Sequence, residues 1–126
     1  MAKRLLLIDD DEVVLQSLER LLESQGYQVE KAHNGLEALE KAQNQVFDLV
    51  ISDIRMPGMD GIEVIQKLRE MNQERRREAI PEILITGYTD ENTYLKALKL
   101  KVTDYLYKPF DMNQFLSVVA KRVGPS

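Results

Sequence analysis

Acidic residues stand in this sequence where apolar runs stop. Leu5-Leu6-Leu7-Ile8 runs into Asp9, Asp10 and Asp11, and the stretch from Phe47 to Ser52 runs into Asp53. Two other residues with chemical capacity hold the same kind of place: Thr86 follows Ile83-Leu84-Ile85, and Lys108 follows Tyr105-Leu106-Tyr107. Three carboxylates gathered within several ångströms raise each other's pKa, so a cation is needed if all are to stay ionised at neutral pH. Magnesium suits such a place. It takes oxygen ligands, keeps several waters, and can be held by one or two carboxylates with a backbone carbonyl and phosphate oxygen. Asp53 then has two open roles, as a metal ligand and as a nucleophile towards phosphorus. The second forms an acyl phosphate when metal and ammonium charge neutralise the incoming phosphoryl oxygens. Lys108 supplies the ammonium and Thr86 a hydroxyl donor. Singly, each residue also has an ordinary structural reading: Asp11 is read as a helix cap, Lys108-Pro109-Phe110 as a turn with a snorkelling lysine, and Tyr105 as a half-buried strand aromatic. Their joint placement is what points to chemistry.

That placement depends on the elements between them. Leu5 to Ile8 reads as a strand buried on both faces. Val14, Leu15, Leu18, Leu21 and Leu22 recur at helical spacing, which predicts a helix over roughly residues 12–25, capped by Asp11 and stopped by Gly26. Tyr27 to Ala32 reads as a second strand. A helix capped by Asn34 follows, with Leu36, Ala38, Leu39 and Ala42 on its apolar side. The third strand, Phe47 to Ser52, leads through the turn-rich Met56-Pro57-Gly58-Met59-Asp60-Gly61 into a helix carrying Ile62, Ile65 and Leu68. Ile83 to Ile85 and Tyr105 to Tyr107 are the fourth and fifth strands, with helices beginning near Asp90 and Asp111. Five strands alternating with five helices imply right-handed crossovers onto a parallel sheet covered on both faces, an open doubly wound α/β fold. Ligands of such sheets bind outside the carboxyl ends of the strands, where Asp9, Asp10, Asp53, Thr86 and Lys108 fall.

Composition narrows the alternatives. A chain of 126 residues, 44% hydrophobic and 30% charged, is of a size and make-up expected of one globular domain spanning residues 1–126. Its net charge of −4 argues against broad nucleic-acid binding by this segment. The absence of cysteine removes disulfides, thiol chemistry and cysteine zinc sites, and fits a reducing cytoplasm. Apolar runs of only a few residues predict no membrane span and no signal peptide. The polar stretch Asn72 to Glu78, with Arg75, Arg76 and Arg77 in a row, reads as a solvated helix end or loop.

In combination, Leu7-Ile8-Asp9-Asp10-Asp11, the run Asp48 to Gly61 around Asp53, Thr86-Gly87-Tyr88 and Asp104-Tyr105-Leu106-Tyr107-Lys108-Pro109-Phe110 closely resemble the receiver domain of two-component response regulators. The resemblance covers the whole chain. It implies a flavodoxin-like five-stranded sheet in order 2-1-3-4-5. It also implies phosphorylation of Asp53 from the phosphohistidine of a sensor histidine kinase or phosphotransfer protein. Mg²⁺ would be held by Asp10 and Asp53 directly, by the Arg55 backbone carbonyl, and by Asp9 through water. Lys108 would bind phosphoryl oxygen, and its bond to Pro109 is expected to be cis. Thr86 and Tyr105 would form the switch: the hydroxyl moves to the phosphoryl group, the ring turns inward, and the surface of the fourth helix, fifth strand and fifth helix reports to a downstream effector or fused output domain. Dimerisation on phosphorylation is open.

The chain departs from the receiver pattern in two places. Between Gly61 and Thr86 it is several residues longer, with the surplus at Asn72 to Glu78, so the third helix or following loop is expected to be extended. Lys101-Val102-Thr103 stands where many receivers have Gly-Ala, which leaves the end of the fourth helix open. Arg55 and Tyr88 are bulky groups expected to hinder water at the phosphoryl group and slow self-dephosphorylation. Two other functions compete: a receiver-like interaction module that is never phosphorylated, and a magnesium-dependent phosphohydrolase of the haloacid-dehalogenase type, whose nucleophile motif Asp9-x-Asp11-x-Val13 imitates. An EF-hand is excluded, since position twelve of a loop starting at Asp9 is Arg20.

Overall fold

The computed structural model describes residues 2–87 and 91–125. In chain order the elements are β1 Arg4–Ile8, α1 Glu12–Glu23, β2 Gln28–Ala32, α2 Gly35–Asn44, β3 Leu49–Asp53, α3 Gly61–Glu74, β4 Glu82–Thr86, α4 Glu91–Leu100, β5 Asp104–Tyr107 and α5 Met112–Val123. All pairings are parallel, in the order β2-β1-β3-β4-β5. Consecutive strand residues point to opposite faces, and β1 divides its side chains accordingly. Leu6 and Ile8 join Val50 and Leu84 in a core closed by α2, α3 and α4, including Ala38, Ile65 and Ala97. Leu5 and Leu7 join Leu49, Ile51, Ile83 and Ile85 in the opposite core, closed by α1 and α5 through Leu15, Leu22, Phe115 and Val119. Continuous apolar strands are what this two-sided burial requires.

Side-chain caps fix where the helices start. Asp11 accepts from Val13 N at 2.9 Å, Asn34 from Glu37 N at 2.9 Å, Asp60 from Glu63 N at 2.9 Å and Asp111 from Gln114 N at 2.7 Å. Each satisfies a donor that the first turn leaves unpaired. The strands shift slightly from the sequence expectation. Tyr27 lies before β2 as a buried ring whose hydroxyl donates to Gly124 O at 2.8 Å. Phe47 precedes β3, whereas Asp53 and Thr86 are the last residues of β3 and β4 rather than the residues after them. α1 ends at Glu23, two residues before the expected last helical residue at 25, and Gly26 takes a φ of 91° in the turn that follows. Asp90, expected near the start of α4, lies outside the described residues. No described helix is long and apolar enough to cross a membrane.

Both places where a departure from the receiver pattern was expected have a definite structure. Asn72 to Glu78, where a surplus was expected, forms the last turn of α3 and the loop after it, and Arg75 and Arg77 are not simply solvated. Arg75 Nη1 donates to Gln43 O and Arg77 Nη1 to Ala42 O, each at 2.6 Å. Guanidinium groups thus meet the carbonyls that end α2, where positive charge also complements the helix dipole. At the end of α4, Lys101 takes a left-handed φ of 55°. A side chain there is strained by about 1 kcal/mol, which glycine avoids. Lys101→Gly is therefore expected to raise the unfolding free energy by about 0.5–1 kcal/mol, read from the urea midpoint at an unchanged slope.

Candidate functional site

Parallel pairing in register brings the carboxyl ends of β1, β3, β4 and β5 side by side. Ile8 lies opposite Ser52, Asp53 opposite Ile85, and Thr86 opposite Tyr107. The five residues singled out by position in the sequence meet there. One carboxylate oxygen from each of Asp9, Asp10 and Asp53 lies within 4.8 Å of the others. Lys108 reaches across from the end of β5 and sets its Nζ 3.6 Å from Asp53 Oδ2. Lys108 N donates to Thr86 O at 2.8 Å, so its backbone is fixed by β4. Thr86 is buried, and its hydroxyl donates to Gly87 O at 3.2 Å. The Lys108–Pro109 bond is cis, as expected.

The three acids are not equivalent. Asp10 is exposed, while Asp9 retains only 2% and Asp53 7% of their accessible surface. Burial pushes the Asp9 carboxyl up from an ordinary 3.8 to about 6; the Asp11 amide opposes this, and Asp53 and Asp10 add to it. Burial also raises Asp53, with Lys108 pulling against it and Asp10 reinforcing it. Asp9 Oδ1 accepts from Asp11 N at 2.9 Å, but buried Asp9 Oδ2 has no hydrogen-bond partner. A buried carboxylate oxygen left unpaired among other acids is costly unless a cation meets it. Exclusively oxygen donors, one orphaned and one exposed, fit a hard divalent ion with water remaining in its shell. Asp11 stands apart from this group, because its carboxylate is occupied as the α1 cap. That leaves the Asp9-x-Asp11 pattern of a phosphohydrolase without its second acid.

The family model for the response regulator receiver domain matches residues 5–120. The chain belongs to the response regulator receiver domain family. The transcriptional regulatory protein ZraR of Klebsiella oxytoca is 43% identical over 110 residues, covering 87% of this chain and 24% of that protein. The chain spans about a quarter of the length of the first curated relatives it matches. Among solved structures, the Vibrio cholerae chemotaxis protein CheY4 superposes with a TM-score of 0.86 at 31% identity, covering 97% of this chain and 99% of that one. A CheY-like receiver domain from Methanospirillum hungatei JF-1 gives 0.87 at 30% identity, covering 98% and 94%. Phosphorylation on aspartate is the function of this family, within two-component signalling.

The other expected receiver residues have surroundings of their own. Arg55 is exposed in the β3–α3 connection, beside a cleft shared with Ile54, Met56, Pro57, Asp60 and Thr93. Tyr88 lies outside the described residues. Tyr105 is half-buried against the α2–α3–α4 core, and its hydroxyl donates to Ala97 O in α4. Reading by residue type missed two features. Gly61 packs so closely on β3 that an added Cβ would stand 2.2 Å from Asp53 O, and its N–H donates to Ile54 O at 2.8 Å. Only the Asp-Gly pair at the start of a helix hinted at this. Glu82, buried at the start of β4, is held by Arg69 through Nε at 2.8 Å and Nη2 at 2.5 Å. An acid opening an otherwise apolar strand is the signal that could have revealed it.

Proposed function

We propose that Asp53 is the phospho-acceptor of this receiver domain and takes its phosphoryl group from the phosphohistidine of a sensor histidine kinase or phosphotransfer protein. A carboxylate oxygen of Asp53 attacks phosphorus, the new O–P bond forms as the N–P bond breaks, and the electron pair stays on the departing imidazole. Asp9, Asp10, Asp53 and the Arg55 carbonyl would hold Mg²⁺, which when bound offsets negative charge on the acids and the phosphoryl oxygens. Lys108 holds phosphoryl oxygen from the other side with a charge-assisted hydrogen bond. The observation that carries this reading is the unpaired, buried Asp9 Oδ2 in a three-acid cluster whose nucleophile faces Lys108.

Thr86 and Tyr105 are the switch. In the described state the Thr86 hydroxyl is satisfied by Gly87 O and the Tyr105 hydroxyl by Ala97 O, so each must give up a partner to change place. The phosphoryl group offers Thr86 a charged acceptor, and this differential contact moves the population. The face of α4, β5 and α5 then meets an effector or fused output domain, with dimerisation of the phosphorylated form as one outcome, in the cytoplasm. Lys108→Ala is expected to slow phosphorylation by a small phosphoramidate at least 100-fold. Thr86→Ala should still acquire the phosphoryl group but leave the Tyr105 ring resonances unshifted. Unchanged rates in the first variant, or a normal ring shift in the second, would overturn these roles.

A further inference from the structure

At the opposite end of the sheet from the acids, α3, the start of β4 and the end of α4 enclose a second cleft. Its volume is about 560 Å³, within the roughly 300–1,000 Å³ of small-molecule sites. One wall is Asn72, Gln73 and Arg77, from the end of α3 and the loop after it. The floor is apolar, made by Leu68, Ile80 and Leu100.

The charges around it are mostly positive. Arg69, Arg77, Lys99 and Lys101 face a single acid, Glu82. Arg69 is already used: its Nε and Nη2 bind Glu82, and its Nη1 donates to Leu100 O at 2.8 Å. Glu82 is therefore matched, and Arg77 is turned to the carbonyls of Ala42 and Gln43 at the end of α2. Lys99 and Lys101 form no ion pair among the described residues. Apolar side chains beside two lysines that form no ion pair among the described residues select an occupant with an apolar body and one anionic end.

We propose that this cleft binds a small amphiphilic organic anion, with its carboxylate or equivalent held by Lys99 and Lys101 and its apolar body on Leu68, Ile80 and Leu100. Occupancy would be felt in α4, because Arg69 joins the cleft to the Leu100 carbonyl that ends that helix. The cleft shares no residue with the phosphoryl site at Asp53.

Octanoate is a suitable probe, titrated into the full chain at low ionic strength and followed by backbone amide shifts. The expected result is saturable shifts confined to Ile80, Leu100, Lys101 and their neighbours. Acetate, octan-1-ol and octyltrimethylammonium should each bind at least tenfold more weakly. The exposed double variant Lys99→Gln/Lys101→Gln should weaken octanoate about tenfold while leaving the remaining amide spectrum and phosphorylation of Asp53 unchanged. Octanol matching octanoate, acetate matching octanoate, shifts centred on Tyr94 and Tyr107, or undiminished binding by the double variant would each overturn the proposal.

Discussion

Asp9→Asn is expected to make the metal-free protein more stable and to leave it unable to respond to magnesium. The carboxyl of Asp9 titrates near 6 in the folded chain against an ordinary 3.8. The folded state therefore holds that proton more tightly than the unfolded chain, and ionising it opposes folding. The penalty is complete above about pH 6 and disappears as pH falls below about 4, so through this group metal-free wild type gains stability on acidification. At about 1.4 kcal/mol for each pH unit between the two values, the penalty is at most about 3 kcal/mol. An amide still carries some desolvation, so a gain of about 1–2 kcal/mol is expected at neutral pH. Asparagine can keep the acceptor for Asp11 N and offers its NH₂ to neighbouring acids that lie within 4.8 Å. Thermal unfolding at pH 7 should rise by several degrees in the variant without metal. Added Mg²⁺ should stabilise wild type and not the variant, because only the native site with its full set of acids gains by binding. A variant less stable than wild type without metal would show that the buried acid is not under the strain its environment implies.

Gly61→Ala disables the site from outside it. The new methyl would lie 2.2 Å from Asp53 O and 3.0 Å from both Asp53 C and Ile54 Cα, all backbone atoms of a buried segment. Either the first turn of α3 withdraws or the end of β3 moves, and in both cases the Gly61 N–H to Ile54 O bond is disturbed. Overpacking against rigid backbone is expected to cost about 2–4 kcal/mol. A displacement of about 1 Å at the nucleophile costs on the order of 100-fold in rate. Gly58→Ala is the control. Gly58 has a φ of 76°, but nothing lies within 4 Å of an added Cβ. It should lose about 1 kcal/mol to backbone strain and phosphorylate at the wild-type rate. Equal rates in the Gly61 and Gly58 variants would remove Gly61 from the positioning of Asp53.

Much of this was legible in the residues because burial and chemistry leave different marks. Strands covered on both faces must be apolar, so Leu5 to Ile8 and Ile83 to Ile85 announce themselves, and any polar residue ending such a run is conspicuous. Parallel register then brings those ends together, which is why Asp53, Thr86 and Lys108 could be grouped before any distance was known. Contacts between segments remote in sequence leave no such mark. Arg69 finds Glu82 and Leu100 O, and Arg77 finds Ala42 O, through packing of α3 on its neighbours, and a run of arginines alone reads as a wet loop. The state of Asp9 was equally hidden. Its type suggested a metal ligand, but only the surrounding chain shows one oxygen paired and the other stranded.

Intact-mass measurement after exposure to a small phosphodonor tests the central claim most directly, comparing wild type with Asp53→Ala, each with Mg²⁺ and with chelator. Wild type with Mg²⁺ should gain one phosphoryl group that hydroxylamine removes, as an acyl phosphate requires, while chelation and Asp53→Ala should each prevent the gain. Wild type that stays unmodified under these conditions, or an alanine variant that is modified to the same extent, would contradict the assignment of Asp53.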